Sequence, residues 1–263
     1  MGEIALRSLR GQWRALLGWV VATVALVAVV LAFWPSISGD SALSDSFSDL
    51  PPAVQAASGI ADLGTPAGYL QGQIFSTLGP LILISFGVGR GARAIAGEED
   101  AGTMDLLLAT PVRRSRVVAE KAAAMLAGLL LIGLCTWLTL VIVAPLADAD
   151  LSASKLLAAT VSLVGAGALY GGIALGLSAA TGHRALSLGI SAGLAGAAFI
   201  YTSVAPYAGS LADHQDLSPM QWTYGYEPLV HGLDWGKLAL LIGFGVLFAV
   251  AGAVRFDHRD VRA

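Results

Sequence analysis

The sequence predicts an all-α integral membrane protein with six transmembrane helices, an N-terminal interfacial helix and a cytoplasmic helix between the second and third spans. Of the 263 residues, 56% are hydrophobic and only 13% are charged, and the mean hydropathy is +0.74. Six apolar stretches reach the length of about 20 residues that a membrane-crossing helix needs. We expect one domain, residues 1–263, with spans near 15–34, 69–89, 122–144, 156–180, 185–205 and 237–254.

Long apolar stretches of this kind favour helices, because only a helix satisfies all of its own backbone hydrogen-bonding groups inside a single segment. The stretches are far longer than the strands of a transmembrane barrel. Pro80 lies within the second stretch, so we expect that helix to be bent. Outer loops are expected at residues 35–68 and 206–236.

The basic residues predict the orientation of the chain. Thirteen of the fifteen lie on one side of the predicted spans. These thirteen are Arg7, Arg10, Arg14, Arg90, Arg93, Arg113, Arg114, Arg116, Lys121, Arg184, Arg255, Arg259 and Arg262. Only Lys155 and Lys237 lie on the other side. By the positive-inside rule, both termini are expected in the cytoplasm of a multi-pass protein of the cell membrane.

Two regions are expected to contact lipid headgroups. Residues 3–14 place Arg7, Arg10 and Arg14 along one helical face and Trp13 on another, a pattern that suits an interfacial helix. The apolar stretch that follows is too long for a secretory signal peptide, so no cleavage is expected.

The last outer loop contains SPMQWTYGYEPLVHGLDW, in which Trp222 and Trp235 are expected at the membrane interface. A role of this loop in substrate exit is the alternative. Membrane lipid is therefore an expected partner, and nucleic acid is not.

The predicted spans carry no ionisable residue near their centres. Each such residue would cost ~2.5–3.5 kcal/mol on insertion, and ion-coupled carriers keep them because the driving ion needs a site. Energy is therefore expected to come from outside this chain. The single cysteine, Cys135, excludes an internal disulfide and a cysteine metal site. The four histidines lie outside the spans, so an intramembrane serine protease is disfavoured; we expect neither catalytic residues nor a metal site.

The segment 90–121 is the most densely charged part of the chain. An acidic run at 98–100 precedes Met104, Leu107 and Leu108, whose spacing puts the three on one helical face. Pro111 ends that helix, because the residue before a proline is disfavoured in the α region. Basic residues follow at Arg113, Arg114, Arg116 and Lys121. The segment is either a docking helix for a partner or a membrane-surface loop with a solvated charged face.

The same segment carries a family resemblance. The run AGEEDAGTMDLLLATPVRRSRVVAEK and the preceding GYLQGQIFSTLGPLILISFGVGRGARAI closely resemble the type-2, export-class permease subunits of ATP-binding-cassette (ABC) transporters. SPMQWTYGYEPLVHGLDW and the C-terminal FDHRDV match as well, so the resemblance covers essentially the whole chain. It implies that segment 90–121 contains the coupling helix, which seats in a groove of a cytoplasmic ATPase subunit.

The resemblance also implies which residues couple to the ATPase. It makes Glu98 and Glu99 the acidic pair, and Met104, Leu107 and Leu108 the apolar knuckle. The full expected set is Glu98, Glu99, Gly102, Thr103, Met104, Leu107, Leu108, Pro111, Arg113 and Arg114. One departure stands at Arg113, where the family often has serine.

The implied assembly contains two ATPase subunits and a second permease chain, as a homodimer or a heterodimer. No Walker A motif, G-x-x-x-x-G-K-[ST], occurs, so this chain is expected to be no enzyme and to hold no cofactor, with ATP and magnesium on the partner. Three glycine pairs are candidate contacts for the second chain, namely Gly167 with Gly171, Gly172 with Gly176, and Gly189 with Gly193.

The cargo is expected to be hydrophobic or amphipathic and to be exported. Copper is disfavoured because Cys135 and Met125 stand about three turns apart with no histidine near them. Two alternatives stay open. The chain could be a non-transport anchor or signalling subunit of an envelope complex, or it could be a secondary carrier.

Overall fold

The computed structural model describes residues 13–38, 65–102, 113–207 and 209–259. Within these ranges every regular element is helical. Six helices are long and apolar enough to cross a membrane, and their charged residues lie near the helix ends. The predicted all-α integral membrane fold is therefore confirmed.

We number the helices in chain order. They are α1 (Trp13–Ser38), α2 (Pro66–Arg93), α3 (Ala96–Asp100), α4 (Arg114–Val143), α5 (Ala153–Thr181), α6 (Arg184–Val204), α7 (Pro228–His231) and α8 (Trp235–Asp257). Short 3₁₀ segments are Pro145–Ala147, Ala205–Tyr207 and Gly209–Leu217, and π-helical stretches are Gln71–Leu78, inside α2, and Gln221–Gly225. The six candidate spans are α1, α2, α4, α5, α8, and α6 together with its following 3₁₀ turn.

The described helices extend beyond the apolar stretches that predicted them. Helix α4 begins at Arg114 rather than near residue 122, and α1 continues through Pro35 to Ser38. A helix bonds its own backbone in water as well as in lipid, so it need not end where the hydrocarbon ends. Trp13 and Arg14, which the sequence assigns to an interfacial helix, lie in the first turn of α1, whereas most of that predicted helix lies outside the described residues.

Pro80 lies two residues after the π-helical stretch of α2. The backbone N–H of Gly79 donates to the carbonyl of Ile74, five residues back. A proline has no amide hydrogen and its ring displaces the preceding turn, so a change of helical pitch on its N-terminal side is its expected effect. The departure from regular α-helix therefore lies before Pro80 and not after it.

Helix α5 is the centre of the bundle. In its most apolar window 83% of the residues are buried, compared with 17% in α1 and in the α6 span. A Cβ on Gly171 would lie 3.1 Å from the Cα of Gly87 in α2, and a Cβ on Gly172 would lie 2.8 Å from the Cα of Gly245 in α8. Glycine at these positions lets the backbones of α2 and α8 approach α5 directly.

Two of the three glycine pairs that the sequence offers to a second chain are used inside this one. Gly167 and Gly171 face α2, and Gly172 and Gly176 face α8. Because their Cβ directions are filled by backbone or side chains of the same chain, these glycines do not form a dimer face. The third pair, on α6, has open space around it.

The chain between α6 and α8 folds back onto the bundle. Thr223 and Leu229 are buried there. Gln71 of α2 donates from Nε2 to the Tyr224 carbonyl at 3.0 Å, and the Tyr226 hydroxyl bonds to the Ser162 hydroxyl of α5 at 2.8 Å. This segment therefore packs against α2 and α5 rather than extending away from them.

Candidate functional site

Charged side chains from distant parts of the sequence meet at one end of the bundle. There α2, α5 and α8 end, α4 begins, and α3 follows the end of α2. We call this region, formed around Glu98, Glu99, Arg114, Lys121 and Arg259, the charged end. It contains the described part of the segment that the sequence singles out for partner binding.

The start of α3 is bonded to α5 through one hydroxyl. Ser178 of α5 is fully buried, and its Oγ accepts from the backbone N–H groups of Ala96 at 2.9 Å and Ile95 at 3.4 Å. The same hydroxyl donates to the Ala92 carbonyl at 3.0 Å. These backbone groups lack helical hydrogen-bond partners because α2 ends and α3 begins there. A buried N–H or carbonyl group without a partner lowers the stability of the folded state. Ser178 therefore fixes the position of the break between the two helices.

Glu98 joins α3 to α4. Its Oε1 lies 2.5 Å from Nζ of Lys121, whose side chain is 9% exposed. An ion pair at this distance is a charge-assisted hydrogen bond, which is stronger than a hydrogen bond between neutral groups. Lys121 of α4 is thus drawn to α3 instead of extending along the membrane surface.

Glu99 joins α3 to the chain that follows α8. Its carboxylate forms an ion pair and hydrogen bond with the guanidinium of Arg259, and the two side chains are 3% and 13% exposed. A buried charge is tolerated when it is paired and hydrogen-bonded. Loss of either residue would leave the charge of the other buried without a partner. The two residues lie 160 positions apart in sequence.

Arg114, in the first turn of α4, contacts the same end of α8. Its Nη1 donates to the carbonyls of Phe256 at 3.0 Å and Arg259 at 2.5 Å. These carbonyls lie in the last turn of α8 and just beyond it, where backbone acceptors lack helical partners. The guanidinium groups of Arg114 and Arg259 also lie 5.3 and 5.7 Å from the ring centroid of the buried Phe256.

The C-terminal cap of α5 leaves room for this ion pair. Gly182 has φ = +67°, a left-handed conformation that favours glycine. A Cβ there would lie 2.5 Å from Oε2 of Glu99 and 2.9 Å from Cζ of Arg259. Glycine is therefore favoured at this position for two reasons, the backbone angle and the space that the ion pair occupies.

The structure places some of the residues predicted to couple to a partner. Glu98, Glu99 and Arg114 make the intrachain contacts above, Gly102 adopts φ = +65° after α3, and Arg113 is exposed at the start of α4. The remaining five, Thr103, Met104, Leu107, Leu108 and Pro111, lie outside the described residues. Their expected docking role stays a prediction.

Sequence reasoning missed four residues of the charged end: Ser178, Gly182, Phe256 and Arg259. The C-terminal run FDHRDV, which contains Phe256 and Arg259, was the one available signal, but a motif alone does not indicate its spatial neighbours. Ser178 and Gly182 resemble many other small residues in membrane helices. Only their position beside α3 distinguishes them.

The residues predicted to contact lipid headgroups have different surroundings. Trp13 is 53% exposed, with the Arg14 guanidinium 5.5 Å from its ring, and Trp235 is 74% exposed at the start of α8. Trp222 stacks on Phe244 of α8 and donates from Nε1 to a backbone carbonyl. Arg7 and Arg10 lie outside the described residues.

An apolar cleft of about 530 Å³ lies between α2 and α6. Leu81, Ile84 and Val88 line it from α2, and Ala192 and Phe199 line it from α6. None of the described residues that line the cleft is charged. Across the described ranges, no group of three or more His, Cys, Asp or Glu residues is arranged to hold a metal ion.

Comparison with curated proteins found no significant match. A family model described as "ABC-2 family transporter protein" matches residues 4–261. The match covers nearly the whole chain, and the bundle of six apolar helices agrees with it. The chain therefore belongs to the ABC-2 family of transporter permeases.

Proposed function

We propose that this chain is the permease subunit of an ATP-driven exporter, coupled to separate cytoplasmic ATPase subunits and carrying a hydrophobic or amphipathic substrate. Membership of the family makes it a membrane permease component of an ABC transporter that is not itself catalytic. The proposal adds the direction of transport, the class of substrate and the coupling site.

The observation that carries the proposal is the attachment of α3 at the charged end. Ser178 bonds α3 to α5, Glu98 bonds it to α4, and Glu99 bonds it to the end of α8. A partner that pushes on the segment between α2 and α4 would therefore act on several spans at once. Such a short helical segment suits docking in a groove of a partner.

The orientation in this proposal puts the charged end in the cytoplasm, together with both termini, in the cell membrane. This orientation follows from the positive-inside rule, because most of the arginine and lysine residues belong to the same side of the predicted spans as the charged end. ATP and magnesium would bind the partner ATPase subunits, of which we propose two per assembly.

We place the path of the substrate in the cleft between α2 and α6. An uncharged cleft of about 530 Å³ suits an apolar or amphipathic molecule, since a charged one would lack a partner there. A second permease chain would complete the path, and we propose that it packs on α6. Among the described residues, no atom lies within 4 Å of the Cβ positions of Gly189, Gly193 and Gly196 on α6. Small residues with open space around them allow a helix of another subunit to pack closely.

The test of coupling is Leu107→Asp in the full chain, co-expressed with the ABC ATPase encoded nearest to it in its genome. A charge in an apolar socket should reduce stimulated ATP hydrolysis at least tenfold while the permease still inserts. The matched control is Leu217→Asp, because Leu217 is 70% exposed in the segment between α6 and α7. Equal ATP hydrolysis by the two variants would reject the proposed coupling site.

A further inference from the structure

The end of α8 contacts two parts of the segment proposed to bind the ATPase, α3 and the start of α4. The residues predicted to couple to the ATPase run from Glu98 in α3 to Arg114 in the first turn of α4. Glu99 of α3 binds the side chain of Arg259, and Arg114 of α4 binds the backbone carbonyl of the same residue at 2.5 Å. One residue beyond α8 thus contacts both ends of the segment.

These contacts are shielded from water. The Glu99 side chain is 3% exposed and that of Arg259 is 13% exposed, while Phe256, whose ring lies near both Arg114 and Arg259, is fully buried. Removing one partner of such a pair leaves the other charge buried without compensation. The Arg259 contact should therefore hold α3 in one position, unlike an exposed pair such as Arg116 with Glu120, in which the arginine side chain is 49% exposed.

We propose that Arg259 is a positioning residue, which holds α3 against the end of α8 through Glu99 and so transmits the movement of the ATPase to α8 as well as to α2 and α4. The inference rests on the proposed function and deepens it. It assigns a role in coupling to the C-terminal end of the last span, a part of the chain distant from the segment in sequence.

The first test measures the position of α3 without any partner. Hydrogen exchange of residues 94–102 is followed in the full chain in lipid nanodiscs, for the wild type, Arg259→Met and Arg255→Met. Arg255 is an exposed arginine in the last turn of α8 and is the matched control. Arg259→Met should speed exchange in α3 at least tenfold, whereas Arg255→Met should change it less than twofold. Unchanged exchange in Arg259→Met would overturn the proposal, whatever the chain transports.

The second test uses the complex with the ATPase. Arg259→Met should lower kcat for ATP hydrolysis at least fivefold, with an unchanged KM for ATP and unchanged copurification of the ATPase. The charge swap Glu99→Arg with Arg259→Glu should recover at least half of the lost rate, and Arg259→Lys should lose less than Arg259→Met. A merely structural role would lower complex yield and kcat together and would overturn the proposal.

The two tests separate this inference from the proposed function. If the wild-type chain neither binds nor stimulates the ATPase, the proposed function fails, and the exchange measurement still decides whether Arg259 positions α3. If the wild type stimulates the ATPase and both Arg259→Met and the charge swap behave like it, the proposed function stands and the role of Arg259 is rejected.

Discussion

Gly172 on α5 and Gly245 on α8 bring the backbones of the two helices into direct contact. A Cβ added at Gly172 would lie 2.8 Å from the Cα of Gly245, closer than a Cβ atom approaches a neighbouring atom in folded proteins. The atoms that it would meet are the O, C and Cα atoms of the Gly245 backbone, so the contact cannot be relieved by turning a side chain. Any larger residue must separate α5 from α8.

The first prediction is that Gly172→Ala destabilises the bundle by about 1–3 kcal/mol, the usual cost of overpacking. Thermal unfolding of the purified chain in detergent measures this. Gly243→Ala is the matched control, because among the described residues no atom lies within 4 Å of the Cβ that it adds on α8, and because it lies away from the contact proposed for the second chain. Equal midpoints for the two variants would mean that α5 and α8 do not touch at Gly172.

The second prediction concerns Ser178, whose hydroxyl serves the N–H groups of Ile95 and Ala96. Ser178→Ala leaves these buried groups without that acceptor and should cost about 1–3 kcal/mol. Unfolding in detergent again gives the value. The control is Ser203→Ala, since the Ser203 hydroxyl donates to the Phe199 carbonyl one turn back at an exposed site and its loss leaves no buried N–H group without an acceptor among the described residues. A smaller loss in Ser178→Ala than in the control would contradict the capping role.

The number and type of the spans could be predicted because each contains a long apolar window, and hydropathy is sufficient to identify such windows. Their neighbours could not be predicted in the same way. Helix α5 is apolar on all sides, so no stripe of polar residues indicates which face meets α2 and which meets α8. For this reason the glycine pairs at Gly167 and Gly172 suggested a subunit contact and proved to be contacts within the chain.

The candidate site was predictable only in its local part. The acidic run before an apolar cluster marks segment 90–121 by itself, since its members are close in sequence. The pairing of Glu99 with Arg259 has no local signal, because two single charges 160 residues apart have no pattern in common. The sequence resemblance treats Glu98 and Glu99 as one acidic pair that faces a partner. In the structure, Glu98 bonds to α4 and Glu99 bonds to the chain at the end of α8, and no sequence pattern indicates this division.

The third prediction concerns the second permease chain. With Cys135 replaced by serine, Gly193→Cys on α6 should form a disulfide between two chains under mild oxidation in the membrane. Gly243→Cys on α8 should not, although its Cβ position is equally open. The difference is expected because Gly193 has open glycines one turn away at Gly189 and Gly196, so another helix can approach closely there, whereas the exposed Leu240 and Leu247 flank Gly243 on the surface of α8. Dimers trapped by Gly243→Cys alone would move the subunit contact to α8.

The fourth prediction is that the charged end faces the cytoplasm. In the Cys135→Ser background, a membrane-impermeant maleimide should label His214→Cys in intact cells and Asp100→Cys only after the membrane is opened. Both original residues are exposed, and Asp100 avoids the positive φ of the nearby Gly102. The reverse pattern of labelling would invert the orientation and place α3 out of reach of a cytoplasmic ATPase.

The last prediction concerns the source of energy. No described span has an Asp, Glu, Lys, Arg or His residue near its centre, where the site of a coupling ion would be expected. Transport should therefore follow ATP hydrolysis by the partner. Efflux of a fluorescent lipophilic dye from sealed vesicles that contain the complex should require ATP, stop with an ATPase-dead partner, and continue when a protonophore collapses the proton gradient. Efflux that survives the dead ATPase but stops with the protonophore would mean that the chain is a secondary carrier, with a coupling site built from residues other than those of the described spans.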